Sequence, residues 1–107
     1  MKDLTFAEVS EINRTRARDI ERHRKTAFDL NYYGVALAGE VGELCNFIKK
    51  QHRDSVDTTE DQMKEIADVY TYLDLLAEKV GCTVESCLRL KWNSVSSRYG
   101  LNYRLPE

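Results

Sequence analysis

One proline, Pro106, and five glycines are all that punctuate a sequence of 107 residues. Short strands need such residues at every turn, so their scarcity favours a few long helices. The apolar spacing agrees. Thr5 and Glu8 have the capping-box pattern, and Phe6, Val9 and Ile12 follow at helical intervals. Apolar residues thin out between Arg18 and Asp29, which predicts the end of a first helix, or a kink, in that stretch. Asn31 is the expected cap of a second helix, where Leu37, Val41, Leu44 and Ile48 form a narrow core stripe. The polar run DSVDTT (54–59) is turn chemistry. A third helix carries Ile66, Val69, Tyr70, Leu73, Leu76, Ala77 and Val80, and Gly81 stops it. Thr83 caps a fourth helix running to about Arg98, and the tail LNYRLPE reads as irregular. The expected fold is one all-α domain over residues 1–107, a four-helix bundle. Leu75 points away from the third helix's main stripe with Tyr72 beside it, so a second copy is expected to cover that side.

Composition narrows the classes. The chain is 42% hydrophobic and 32% charged, which excludes a disordered or membranous protein. No apolar run approaches the roughly 18 residues of a membrane span, and the first residues lack a signal-peptide pattern. A net charge of −2 argues against a coat for nucleic acid, and the basic stretch from Arg14 to Lys25 reads as a solvated helix face. Cys45, Cys82 and Cys87 form no CxxC and have no metal-ligand spacing with His23 or His52. They read as reduced thiols of a cytoplasmic protein.

Four acids interrupt this pattern. Glu40 and Glu43 lie in GEVGELCNFIKK, and Glu65 and Asp68 in EIADVYTYL. At about 100° per residue, each pair spans about 60° of one helix face. The first pair lies about 100° from the centre of the Leu37/Val41/Leu44/Ile48 stripe, on the flank of the core. Glutamates at such spacing ordinarily form a solvated face beside Lys or Arg. Here the pattern is duplicated and borders apolar residues, and Glu40 lacks an obvious cation at i+4. Two antiparallel helices would set the pairs across a shallow groove. Crowded carboxylates repel and resist desolvation, and a hard divalent cation relieves both penalties. A di-iron site would need Glu-x-x-His, which neither His23 nor His52 supplies. Lys50 shares the carboxylate face, with Asn46 near it.

These residues resemble the signature of the MazG-like all-α nucleoside triphosphate pyrophosphohydrolases: Glu40-x-x-Glu43, 21 residues, then Glu65-x-x-Asp68. ALAGEVGELCNFIKK and EIADVYTYLDLLAEKVG resemble that family's second and third helices. LKWNSVSSRYG is similar to the last helix of a MazG-like subgroup, and NRTR (13–16) is a weaker likeness. The resemblance implies hydrolysis of a nucleoside triphosphate to the monophosphate and pyrophosphate, with Mg²⁺ as cofactor and Mn²⁺ as a substitute. It implies that Glu40, Glu43, Glu65 and Asp68 are metal ligands and catalytic residues. It adds Arg16, Lys91 and Arg98 to Lys50 and Asn46 as substrate-binding candidates, with Asn93 assigned to base or sugar. It also implies a homodimer or a dimer of dimers. Where the subgroup has a Trp ahead of ALAGE, this chain has Tyr32 and Tyr33, which leaves base preference open. Those tyrosines, Tyr72 and Trp92 are candidates to stack on a base. The alternative is a non-catalytic helical module that binds nucleotide or a partner.

Overall fold

The computed structural model describes residues 1–107. It contains four helices and no strand: α1 (Phe6–Arg24), α2 (Leu30–Asp54), α3 (Thr59–Val80) and α4 (Val84–Arg98). No helix is long and apolar enough to cross a membrane. The boundaries follow the capping chemistry. The hydroxyl of Thr5 accepts from the Glu8 N–H, and the Glu8 carboxylate accepts from the Thr5 N–H. Thr83 and Ser86 close the same reciprocal pair ahead of α4. Gly81 ends α3 at φ 97°, a left-handed conformation that glycine adopts without steric cost. The cap of α2 differs from expectation. Asp29, not Asn31, accepts the Tyr32 N–H at 2.8 Å, so the helix begins two residues earlier than Asn31 would allow. A carboxylate there also meets the positive end of the helix dipole.

The α2–α3 hairpin is the frame. Its short connection is fastened by Thr58, which is buried. The Thr58 hydroxyl donates to the Phe47 carbonyl at 2.9 Å, its N–H donates to Gln51 Oε1, and Gln62 donates to its hydroxyl. Phe47 and Thr58 are therefore level across the hairpin. Two turns further from the loop on each helix, Glu40 and Glu65 are level in turn.

Helix α1 crosses α3 through a buried polar network. Asp74 is 2% exposed. Its carboxylate accepts from the Ser10 hydroxyl at 2.7 Å and the Asn13 amide at 2.9 Å, and Arg14 lies 3.5 Å away. Arg14 also donates to the carbonyls of Asp74 and Cys82. Arg18 pairs with Glu78 at 3.1 Å. Arg14 and Arg18 thus turn toward α3, which corrects the reading of the whole basic stretch as a solvated face. Below this network Ala17, Tyr33 and Leu75 bring α1, α2 and α3 together, with Phe28, Tyr72 and Leu76 around them.

Much apolar surface stays uncovered. Only Ala17, Tyr33, Leu75 and Ala77 are buried hydrophobics. Val41 and Ile48 are 42% and 49% exposed, so the expected core stripe of α2 is only partly covered within one chain. Leu75, expected on the open side of α3, is 5% exposed, while Ile66 is 56% exposed. The Asp74 network draws α1 onto the Leu75 side, so that side is covered as well as the expected stripe, of which Ala77 is buried and Val69, Tyr70, Leu73 and Leu76 are half-buried. Helix α4 packs on the C-terminal half of α3. The accessible surface is 8296 Å² for 12.4 kDa. A folded monomer of that mass exposes about 6,100 Å². The radius of gyration is 16.7 Å, against about 13 Å for a compact domain of this length.

Removing one partner of a buried charged network leaves the others unpaired. Asp74→Ala should lower stability by about 3–5 kcal/mol, because Arg14 would remain largely buried without its carboxylate. Chemical denaturation at constant m-value measures it; a loss below about 1 kcal/mol would show that the network does not hold α1 in place.

Candidate metal centre

Glu40 from α2 and Glu65 and Asp68 from α3 each present a carboxylate oxygen, and these oxygens lie within 4.8 Å of one another. Glu40 and Glu65 are half-buried and Asp68 is exposed. The hairpin register makes the first two meet, and Asp68 follows Glu65 by about one turn on the same face. No Lys or Arg forms an ion pair with any of the three. Lys64, the nearest in sequence, pairs with Glu60 instead. The Oε2 atom of Glu65 is shielded from solvent and has no hydrogen-bond partner.

That crowding has an electrostatic signature. The Glu65 carboxyl is pushed up to about 7 from an ordinary value of 4.5. The main cause is a hydrogen bond with Glu40, which requires a proton between the two. Desolvation comes next, followed by the charges of Glu40, Asp68 and Asp61. A shared proton is one way to relieve the repulsion. A hard cation is another, and the three oxygen donors, one of them shielded and unpartnered, fit such an ion. No sulfur or imidazole takes part, which disfavours zinc.

The remaining expected site residues are spread more widely. Glu43 is exposed and lies outside the cluster. On antiparallel helices, Glu43 steps from Glu40 toward the loop while Asp68 steps from Glu65 away from it, so the two diverge. Asn46 and Lys50 are exposed on α2. Arg16 is exposed on α1 and borders a shallow depression with Asn13, Ala17, Thr71 and Tyr72. Lys91 lines an apolar groove between α3 and α4. Arg98 stands 5.6 Å above the Tyr99 ring. Asn93 is buried, and both ends of its amide are engaged: it donates to the Leu105 carbonyl and accepts from the Leu105 N–H. Its observed work is to fasten the tail to α4.

Among the aromatic candidates, Tyr33 is core and Trp92 lines the α3–α4 groove. Tyr72 adjoins the acids: burial pushes its hydroxyl up most, and the charges of Glu40 and Asp68 add to that. Phe28, which the sequence reading passed over, stacks on Tyr32 with ring centres 4.2 Å apart. Its position between two helices hid it, since no periodic pattern runs through the connection. Comparison with protein-family models, with curated proteins and with solved structures found no match.

The raised Glu65 value fixes the sign of a pH effect. The folded chain holds this proton more tightly than the unfolded chain, so it favours folding while Glu65 is protonated. That contribution is present below about 4.5 and is lost as pH rises through about 7. Without divalent cations, Glu65→Gln should therefore melt at or above the wild-type temperature at pH 8, with the advantage shrinking toward pH 5. Glu43→Gln, at an exposed position, should change little. Thermal melts in chelator at both pH values test this; a Glu65→Gln protein less stable than wild type at pH 8 would make the carboxylate structural.

Proposed function

We propose that the chain is a Mg²⁺-dependent nucleoside triphosphate pyrophosphohydrolase that converts a (d)NTP to the (d)NMP and pyrophosphate, for nucleotide cleansing or pool control. The observation that carries the reading is the cluster of Glu40, Glu65 and Asp68: three oxygen donors from two helices, without a cationic partner, with one oxygen shielded and unsatisfied. The likeness of the sequence around all four acids to the MazG-like family points the same way.

On this reading Glu40, Glu65 and Asp68 hold the ion. Bound Mg²⁺ would supply charge neutralisation at the phosphates and a lowered pKa for coordinated water. Water adds at phosphorus, the bridging oxygen between the α- and β-phosphates leaves with pyrophosphate, and the water's protons pass to solvent. Glu43 lies one turn from Glu40 and makes no ion pair, which leaves it free to orient that water or to add a ligand. Arg16, Lys50, Lys91 and Arg98 also form no ion pair, so their charge is available to phosphate oxygens. Lys91 and Arg98 belong to α4, which packs on the C-terminal half of α3, whereas Glu65 and Asp68 lie toward its other end. A site shared with a second copy would bring them closer.

The uncovered surface supports such a second copy. The excess over a compact monomer is about 2,000 Å² per chain, comparable to what each partner buries in a large obligate dimer. Val41, Ile48, Met63 and Ile66 are exposed apolar residues of the hairpin that carries the acids.

Two measurements test the reading. Incubated with a panel of NTPs and dNTPs, the protein should release pyrophosphate only with Mg²⁺ or Mn²⁺, and Glu65→Gln should lose at least about 100-fold in rate. Turnover undiminished by excess EDTA, or orthophosphate as the co-product, would overturn it. In light scattering at micromolar concentration the mass should be at least twice 12.4 kDa. Val41→Glu with Ile66→Glu should dissociate the assembly; a monomeric wild type would refute the shared site.

A further inference from the structure

The turn between α3 and α4 carries a feature that the proposed hydrolysis does not use. The Sγ atoms of Cys82 and Cys87 lie 3.4 Å apart. We propose that these two thiols form a reversible peroxide-oxidisable pair whose disulfide staples the end of α3 to the start of α4.

The backbone holds the pair in place. Cys82 follows the left-handed Gly81, and its N–H donates to the Ala77 carbonyl at 2.9 Å. Its carbonyl accepts from Arg14, which the Asp74 network anchors in turn. Cys87 lies in the first turns of α4, and its N–H donates to the Thr83 carbonyl at 3.1 Å. The Thr83/Ser86 capping box fixes the residues between them. The backbone of both cysteines is thus tied by hydrogen bonds, and only their side chains need rotate. An S–S bond of about 2.05 Å requires the sulfurs to approach by about 1.4 Å. Cys87 is exposed and Cys82 half-buried, so an oxidant reaches one thiol first.

The chemistry divides between them. Cys82 keeps its proton more firmly than an ordinary thiol, because it shares a hydrogen bond with Cys87 and is partly desolvated. Cys87, the exposed one of the two, meets the oxidant and attacks first. Its sulfur takes one oxygen of a hydroperoxide as the O–O bond breaks, giving a sulfenic acid and an alcohol, or water when the oxidant is hydrogen peroxide. Cys82 then loses its proton to solvent and attacks that sulfur. The S–S bond forms and the sulfenic oxygen leaves as water. Two thiols and one hydrogen peroxide yield one disulfide and two waters, and a dithiol reductant reverses the change.

The staple would act where two helices pack sparsely. Helix α4 leans on α3 across an open apolar groove of about 550 Å³, bordered by Leu76, Val80, Leu88 and Trp92 as well as by both cysteines. A covalent link at its first turn would limit how far α4 swings. Cys45 is exposed on α2 and has no sulfur partner, so it serves as the internal control.

The test uses the full-length reduced protein and hydrogen peroxide in slight excess. Intact mass should fall by about 2 Da, the two thiol hydrogens, and digestion with a Glu-specific protease, which cuts at Glu85 between the cysteines, should yield one cross-linked peptide pair joining Cys82 to Cys87. Dithiothreitol should restore the original mass. Cys82→Ser should stop at the sulfenic acid, trapped by dimedone on Cys87. Cys87→Ser should show no loss of 2 Da, and Cys45→Ser should behave as wild type. In the oxidised protein, amide exchange over α4 should slow several-fold. Oxidation confined to Cys45, intermolecular cross-links alone, or stepwise addition of oxygen to Cys87 without a disulfide would overturn the proposal. Because no nucleotide or divalent cation enters this experiment, its outcome is independent of the hydrolase reading.

Discussion

The Thr58 hydroxyl donates to the Phe47 carbonyl, and that bond decides which residues of α2 meet which of α3. A hairpin of two long helices could slide by a turn and still bury some apolar area. A buried hydroxyl cannot slide without losing its acceptor, and a lost partner inside the protein costs about 1–3 kcal/mol. Gln51 and Gln62 tie further groups to the same residue, so one register is favoured several times over. Everything at the acidic cluster depends on it. With Phe47 opposite Thr58, Glu40 stands opposite Glu65, and two carboxylates are forced together that would otherwise avoid each other. The stability of the loop holds the repulsion of the site in place.

A second polar knot replaces much of the apolar core that a chain of this length would ordinarily build. Asp74 gathers Ser10, Asn13 and Arg14, and Arg14 passes the constraint on to the Cys82 carbonyl at the start of the next turn. The arrangement is directional in a way that hydrophobic contact is not. It fixes the angle of α1 on α3 and, through one guanidinium, the position of the α3–α4 turn. The hydrophobic core beside it is small, and it leaves apolar residues of α2, α3 and α4 exposed.

The helices were legible because their ends carry local chemistry. Thr5, Gly81 and Thr83 act within a few residues of themselves, so the sequence displays both partners of each cap. Asp29 was harder: two good capping residues lie two positions apart, and the choice depends on where Tyr33 must point to enter the core. Periodicity correctly grouped Leu37, Val41, Leu44 and Ile48 on one face, but a face does not say what covers it. The burial of Leu75 has the same origin. Leu75 is buried because Asp74, its neighbour, binds Asn13 from 61 residues away, and no local pattern encodes such a partnership. In hindsight Ser10, Asn13 or Arg14, and Ala17 recur at helical spacing as a small and polar stripe. The meeting of Glu40, Glu65 and Asp68 was legible from residue type and face. Glu43 differs because the i+3 step runs in opposite directions on antiparallel helices.

On the proposed reading, the acidic cluster and the uncovered apolar face belong to one design. Glu40 adjoins Val41, and Glu65 adjoins Ile66, on the two helices that expose those apolar side chains. A second copy seated there would exclude water from carboxylates that already lack a cation. Lower local polarity makes like charges repel more strongly and makes a divalent ion between them more favourable. Association without the ion would then be opposed, and association with it would be favoured. Linkage requires the reverse as well: if the ion favours assembly, assembly must tighten the ion by the same factor. A chain with so small a core of its own would gain much of its stability from the assembled, ion-loaded state.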